Sequence, residues 1–341
     1  VSTPTVIVLS LIAAFVPSLL YTTLVWWLDR YEREPFRLLA VAFAWGALPA
    51  VILSIVLEVI VGRPLAGIEP LLLQNVASAS VAAPVIEELA KGLALLLFFL
   101  LARREFDNVL DGIVYGAVIG FGFAMTENAL YFIEVLSRGQ VDNFSSVVIL
   151  RSLLFGLNHA FYTAIMGAGF GLAAQSRGTL YPWRWLFPLL GLVLAIGFHA
   201  MHNLGILLSE SSDLALTVAV TANWTGVLLL FVIVLMAWQQ ERRWIIEELR
   251  SEVGDTLSQE EYRAAASYGR RLVVWLEAWQ GDGWPAAQRN GHKQHLITRL
   301  AFLKRRERLS GAIPEVGREV TAIRAELRAL RGAGFLADGS G

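Results

Sequence analysis

Residues 72–102 read LLQNVASASVAAPVIEELAKGLALLLFFLLA, a run apolar enough to cross a bilayer that nevertheless carries Glu87, Glu88 and Lys91. Ionisable groups are costly in hydrocarbon, and those inside a span face a bundle interior or a water-filled cavity. Glu87 and Lys91 stand at i and i+4, on one helix face. That face demands other helices around it, so the stretch predicts a helix bundle within a membrane. The run is too long for one straight span. Gln74, Asn75 and Pro84 predict a short interfacial segment leading into a helix that starts near Pro84, where proline suits the first turn.

Working outward, apolar runs long enough for ~30 Å of hydrocarbon also fall at about 4–28, 36–61, 109–136, 147–174, 185–208 and 214–239. The fold class expected is all-α: a polytopic membrane bundle of about seven transmembrane helices with a C-terminal helical tail. The first run has no basic n-region and outlasts a signal-peptide core, so it is expected to remain in the mature protein. Charge divides the chain in the same way. Residues 1–240 hold 11 basic and 15 acidic side chains, whereas the last 101 hold 17 and 14. A transmembrane domain, 1–240, followed by a soluble helical tail, 241–341, is the expected organisation. Helix-like stretches in the tail fall at about 241–253, 258–279, 285–309 and 315–331, broken by Gly254, the Gly281–Pro285 cluster and Pro314. LKRRER at 303–308 and the pair His292 and His295 read as solvated surface.

Basic side chains are retained on the cytoplasmic side of short loops. Arg30, Arg33, Arg37, Arg103, Arg104, Arg177, Arg184, Arg242 and Arg243 fall on one side, and Arg63, Arg138 and Arg151 on the other. The N-terminus is therefore expected outside and the tail in the cytoplasm, the protein being integral to a bacterial plasma membrane. The net charge is −1 and there is no cysteine. The first gives no basic footprint for nucleic acid; the second excludes disulfides, a cysteine nucleophile and cysteine-ligated metal sites.

Polar groups recur inside the spans: Glu87, Glu88 and Lys91; Glu127 and Asn128; Asn158, His159 and Thr163; His199, His202 and Asn203. Counting helix rise from the cytoplasmic ends puts Glu87, Glu127, His159 and His199 all ~21–27 Å deep, at ~1.5 Å per residue. Scattered structural residues have no reason to share a level, so one polar site is predicted. His159 with Thr163, and His199 with Asn203, are again i and i+4. Adjacent carboxylates in low dielectric tend to share a proton, giving a base and an acid for activating water. Histidines can donate to an oxyanion, shuttle protons or bind a metal. Blander readings stand beside these. Glu87 with Lys91 can be a neutralised buried pair, and His202 a packing partner. Asp107, Asn108 and Asp111 read as helix N-caps, Asp29, Glu32 and Glu34 as a solvated loop, and the glycines at 112–122 and 167–171 as close helix packing.

DRYEREP at 29–35, EELAK at 87–91, DGIVYGAVIGFGFAMTEN at 111–128, HAFYTAIMG at 159–167 and HAMHN at 199–203 together resemble the PrsW family of intramembrane proteases, within the type II CAAX prenyl endopeptidase-like superfamily. The family patterns EExxK, FxxxE, a histidine in the next helix, and a final HxxxN or HxxxD match Glu87, Glu88 and Lys91; Phe123 and Glu127; His159; and His199 with Asn203. Each pattern is short, but they occur in order in consecutive spans. The resemblance covers about residues 20–208. It implies peptide-bond hydrolysis in or beside the membrane, on single-span membrane proteins such as anti-sigma factors, with Glu87, Glu88, Lys91, Glu127, His159, His199 and Asn203 as the catalytic set.

Other intramembrane chemistries lack their motifs: there is no HExxH, no GxSxG and no GxGD. For metal, Glu127, His159 and His199 can serve as three Zn²⁺ ligands beside a Glu87 or Glu88 base, which would offset several buried carboxylates. Lys91 is an unhelpful neighbour for a dication. A metal-free glutamate mechanism, with His159, His199 and Asn203 binding the oxyanion, therefore stays open. Two rival classes are a non-catalytic scaffold that binds transmembrane segments and a proton-coupled transporter, although no inverted repeat of motifs is evident.

Overall fold

The computed structural model describes residues 3–31, 33–102, 105–176, 178–311 and 314–337. The described residues form helices and contain no β-sheet. In chain order the helices are α1 (Thr3–Leu28), α2 (Phe36–Trp45), α3 (Val51–Leu65), α4 (Leu71–Asn75), α5 (Ala83–Leu101), α6 (Val109–Ser137), α7 (Val141–Ile149), α8 (Asn158–Gln175), α9 (Leu186–Leu207), α10 (Asp213–Leu249), α11 (Gln259–Ala265), α12 (Tyr268–Ser310) and α13 (Pro314–Ala337). Wider π-helical turns occupy Gly46–Ala50, Val76–Ala82 and Leu150–Leu154. Proline accounts for two of them, because a ring without an N–H breaks the hydrogen-bond ladder of the turn before it. Pro49 lies within the first and Pro84 just beyond the second. Pro84 does fall in the first turn of α5, but the segment before it is wound into α4 and the π turn.

Two compact units are present: Val1–Asp29 with Glu34–Val234, and Arg30–Arg33 with Leu235–Gly341. Among the described residues, six helical runs are long and apolar enough to cross a membrane: Thr3–Leu28, Phe36–Leu65, Val109–Ser137, Val141–Gln175, Leu180–Leu207 and Asp213–Glu252. This is an integral membrane protein built as a helical bundle. α5, an apolar helix of 19 residues outside these runs, carries Glu87, Glu88 and Lys91. α6 is the axis of the bundle. Its apolar window is 89% buried, against 22% for α1 and α9, whose exposed leucines and valines suit contact with lipid.

Glycine makes that axis possible. Gly112, Gly116 and Gly120 recur every fourth residue on α6 and meet the α8 backbone at Gly167, Thr163 and His159. A Cβ on Gly120 would lie 2.4 Å from the His159 carbonyl oxygen and 2.6 Å from the Ala160 Cα. The glycines expected to mean close packing therefore set the distance between the helices that carry Glu127 and His159. Gly120→Ala is expected to push α8 outward, lowering stability by about 1–3 kcal/mol. It should also displace His159, whose carbonyl oxygen the new methyl group would meet. Gly197→Ala, whose Cβ meets nothing within 4 Å, is the control. Thermal unfolding in detergent compares the two; equal effects at both sites would refute the packing account.

Two loop readings resolve differently. Asn108 and Asp111 do form a capping box on α6: the Asn108 Oδ1 accepts from Leu110 N at 2.7 Å and Asp111 N at 3.1 Å, while Asp111 Oδ2 accepts from Asn108 N at 3.0 Å. The expectation of a solvated 29–34 loop is corrected, because Asp29 and Glu34 are only 2% and 5% exposed. Asp29 Oδ2 accepts from Glu34 N, and Glu34 Oε2 accepts from the Tyr115 hydroxyl at 2.5 Å. Burial, together with the nearby Asp111, holds the Glu34 carboxyl well above the ordinary carboxylate range. Glu32, Arg103, Arg104 and Arg177, used in the loop readings, lie outside the described residues.

The second unit has its own core, in which Trp244, Ile245, Leu249, Leu257, Leu296, Leu300 and Val320 surround Tyr31. Arg30 lies 3.5 Å over the Trp238 ring. The chain reverses at Gly254 (φ 97°), and α12 is broken at Gly283 (φ 74°), two residues before Pro285. These are the breaks the glycines and proline predict, since positive φ is readily open only to glycine. A further break between α11 and α12 was not expected.

Candidate active site

Four helices of the first unit meet at one buried polar centre. Lys91 on α5 is wholly buried, with its Nζ 2.5 Å from Glu88 Oε1, 3.7 Å from Glu87 Oε2 and 3.2 Å from His159 Nδ1. It also lies 4.2 Å over the Phe123 ring. A buried ammonium requires this degree of compensation, and Glu88, itself fully buried, supplies most of it. Glu88 Oε1 also lies 2.9 Å from His199 Nδ1 on α9. Glu127 Oε2 on α6 lies 2.8 Å from His159 Nε2 on α8.

These bonds assign the histidine tautomers. The Lys91 ammonium can only donate, so His159 Nδ1 accepts from it and the ring proton of His159 sits on Nε2, 2.8 Å from Glu127 Oε2. An imidazole that donates through Nδ1 to Glu88 presents a bare Nε2, and this is His199. The inward nitrogens flank Glu87 Oε2, at 4.0 Å for His159 Nδ1 and 3.9 Å for His199 Nε2. That oxygen is buried and makes no hydrogen bond. The two rings meet edge to face, with centroids 5.1 Å apart, and Tyr162 stacks on His199 at 4.9 Å. Its hydroxyl donates to Asn223 Oδ1.

The donor set suits a metal. Ligand atoms from Glu87, Glu88, His159 and His199 all lie within 4.8 Å of one another, so this buried cluster can bind one. Carboxylate partners on the outer nitrogens of both histidines are the support that ligating imidazoles usually have. The sequence grouped Glu127, His159 and His199 as ligands. In the structure Glu127 stands behind His159, and Glu87 is the carboxylate between the inward nitrogens. Lys91 shares that space and holds the His159 Nδ1 lone pair, while Glu88 retains the ammonium at 2.5 Å.

The centre opens on a cavity of about 80 Å³ lined by Glu87, Glu127, Arg151, His159, His199 and Asn203, among others. One water needs roughly 10–15 Å³, so several fit. Asn203 lines the cavity but does not join the cluster, since its Nδ2 donates to the Ala79 carbonyl at 2.8 Å. His202 is held by Asn158 and Asn223 and packs its ring on Phe155. Arg151, counted above as an outer-loop charge, instead lies in the π turn Leu150–Leu154. Its guanidinium is 3.1 Å from Glu127 Oε1 and donates to Asn128 Oδ1 at 2.8 Å. Arg151 and Asn223 escaped the reading of the site. Their signal was an arginine four residues into an apolar run and an asparagine mid-span.

The fold and the site define a polytopic helical membrane protein with an intramembrane glutamate–histidine centre. A profile described as "PrsW family intramembrane metalloprotease" matches residues 34–238, more than half the chain, and the chain belongs to that family. Proteins named Protease PrsW are similar. The one from Geobacillus kaustophilus is 32% identical over 157 residues, 46% of this chain and 63% of that protein. The one from Halalkalibacterium halodurans is 32% identical over 33% of this chain and 47% of the relative, and the one from Oceanobacillus iheyensis 36% identical over 23% and 32%. The matched part thus spans less than two thirds of these relatives. No solved structure matches the chain.

Proposed function

We propose that the chain is an intramembrane endopeptidase that hydrolyses peptide bonds of single-span membrane proteins, in regulated proteolysis of the anti-sigma-factor type. The observation that carries this reading is Glu87 Oε2, buried and without a hydrogen bond beside a cavity with room for several waters, with two inward-turned imidazole nitrogens about it. Glu87 takes a proton from water as the water oxygen attacks the scissile carbonyl carbon. The same proton then passes to the leaving amine as the C–N bond breaks. Glu88 holds His199 and neutralises Lys91, and the second N–H of the Asn203 amide, on the cavity wall, is a donor for the developing oxyanion. Glu127, fixed by Arg151, sets the orientation of His159. Zn²⁺ fits the same centre, where Glu87, Glu88, His159 and His199 would hold it and it would supply Lewis-acid polarisation of water and carbonyl.

Seven crossings, with the N-terminus outside and the second unit in the cytoplasm, fit the packing of Tyr31 in one core with Trp244 and Leu300. Residues 31 and 244 then share a side, and an even number of spans must separate them. That requires α5 to cross in addition to the apolar helices between them. Without Arg151, the basic loop count favours this orientation by nine to two. The centre then lies nearer the outer surface, and cleavage is expected in the outer half of a substrate span. Purified full-length protein in liposomes, incubated with single-span peptides, tests both points when the new termini are mapped by mass spectrometry. Cuts at the cytoplasmic end would overturn the topology, and peptides bound but never cut would favour a scaffold.

A further inference from the structure

A second carboxylate lies inside the membrane-spanning region and takes no part in the chemistry above. Glu58 is half-buried on α3, and it makes no hydrogen bond or ion pair with any described residue. An ionisable side chain in a span is normally matched by a partner or faces a functional cavity. Glu58 faces a groove lined also by Gly62 and Leu65 of α3, Ser78 and Ala82 of the Val76–Ala82 π turn, and Asn203 of α9. Glu58, Gly62 and Leu65 follow at i, i+4 and i+7, so one face of α3 forms the wall. A Cβ added to Gly62 meets nothing within 4 Å, so the groove is open there.

The groove leads to the catalytic cavity. Asn203 lines both. Ala83 lines the groove and Glu87, one turn along α5, lines the cavity. Asn203 and His199 repeat this step on α9, a rise of about 6 Å in each helix. Asn203, which borders both spaces, donates to the carbonyl of Ala79 in the groove wall, and Ala79 belongs to the Val76–Ala82 π turn.

We propose that this groove is a substrate-binding subsite in which Glu58 takes a basic side chain, Lys or Arg, of an extended segment flanking the scissile bond. The inference rests on the proteolytic reading of the adjoining site. The small residues of the wall leave room for a backbone and a long aliphatic stem, and the stem keeps apolar contact while its charge reaches Glu58. An unpartnered carboxylate in partly dry surroundings discriminates among substrates by charge rather than by bulk.

Binding is measured on the full chain bearing Glu87→Gln, which is expected to keep its stability while cutting about 10²–10⁴-fold more slowly. Labelled single-span peptides differ only by Lys, Gln or Glu, walked through the outer half of the span. In one register the Lys peptide is expected to bind about tenfold more tightly than the Gln peptide, and the Glu peptide more weakly still. Glu58→Gln, close in shape, should abolish the difference, and Glu58→Lys should reverse it. Equal affinity for Lys, Gln and Glu peptides in every register would overturn the subsite, and that comparison needs no change at residue 58. Charge-selective binding without cleavage by the unaltered chain would leave the subsite standing and remove the protease reading. Cleavage without charge selectivity would do the reverse.

Discussion

Glu87→Gln is expected to lower peptide cleavage by about 10²–10⁴-fold, the contribution of a positioned general base, while the chain still inserts and unfolds near its usual temperature. The side chain is the one member of the carboxylate pair that lines the cavity, and its Oε2 has no bond to lose. Glu88→Gln should abolish cleavage as well, but by another route. It removes the charge 2.5 Å from a wholly buried Lys91 and weakens the bond that orients His199. The unfolding free energy should therefore fall by on the order of 3 kcal/mol, because an uncompensated ammonium is left in low dielectric. Thermal unfolding in detergent and turnover of a single-span peptide separate the two effects. Full activity in both variants would remove the pair from the mechanism, and equal destabilisation would remove the division of labour between them.

His159→Ala and His199→Ala are each expected to lose bound zinc together with activity, since each takes away a nitrogen that faces Glu87 Oε2. Glu127→Gln should have a milder form of the same effect. It keeps the side chain's shape beside His159 Nε2 but removes the carboxylate charge 2.8 Å from that nitrogen, a loss of support that typically costs 10–100-fold in metal affinity. Elemental analysis of the purified, active chain, read beside turnover with and without a chelator, decides the matter. Substoichiometric metal in active protein, with a rate untouched by chelation, would mean that Glu87 works with Lys91 and the histidines alone.

Much of this protein was legible in order along the chain. The apolar runs announced a helical membrane bundle because no other backbone arrangement satisfies its own hydrogen bonds across each run in lipid without closing a barrel. Asn108 and Asp111 announced the start of α6, and Gly254 and the Gly283–Pro285 stretch announced breaks near the C-terminus, because caps and turns depend on residues close in sequence. Helix rise was enough to put Glu87, Glu127, His159 and His199 at one level, since 1.5 Å per residue applies to every helix alike.

Rotation about each helix axis, and the pairing of side chains across helices, had no such rule. Depth could group Glu127 with the histidines as ligands, but only packing showed it behind His159, with Glu87 between the inward nitrogens. Arg151 looked like a loop charge until the π turn carried it to Glu127, and Glu34 looked solvated until α6 brought Tyr115 to it. Glu58 and Asn203 became neighbours of one groove only through the contact of separate helices. Sequence alone determined the element types, their polarity and the depth of the polar groups, because these follow from local hydrogen bonding and transfer from water to lipid. The partner of each buried charge was decided by the tertiary structure alone. In a low-dielectric interior that choice depends on differences of an ångström between helices, here set by how closely glycine-lined backbones approach.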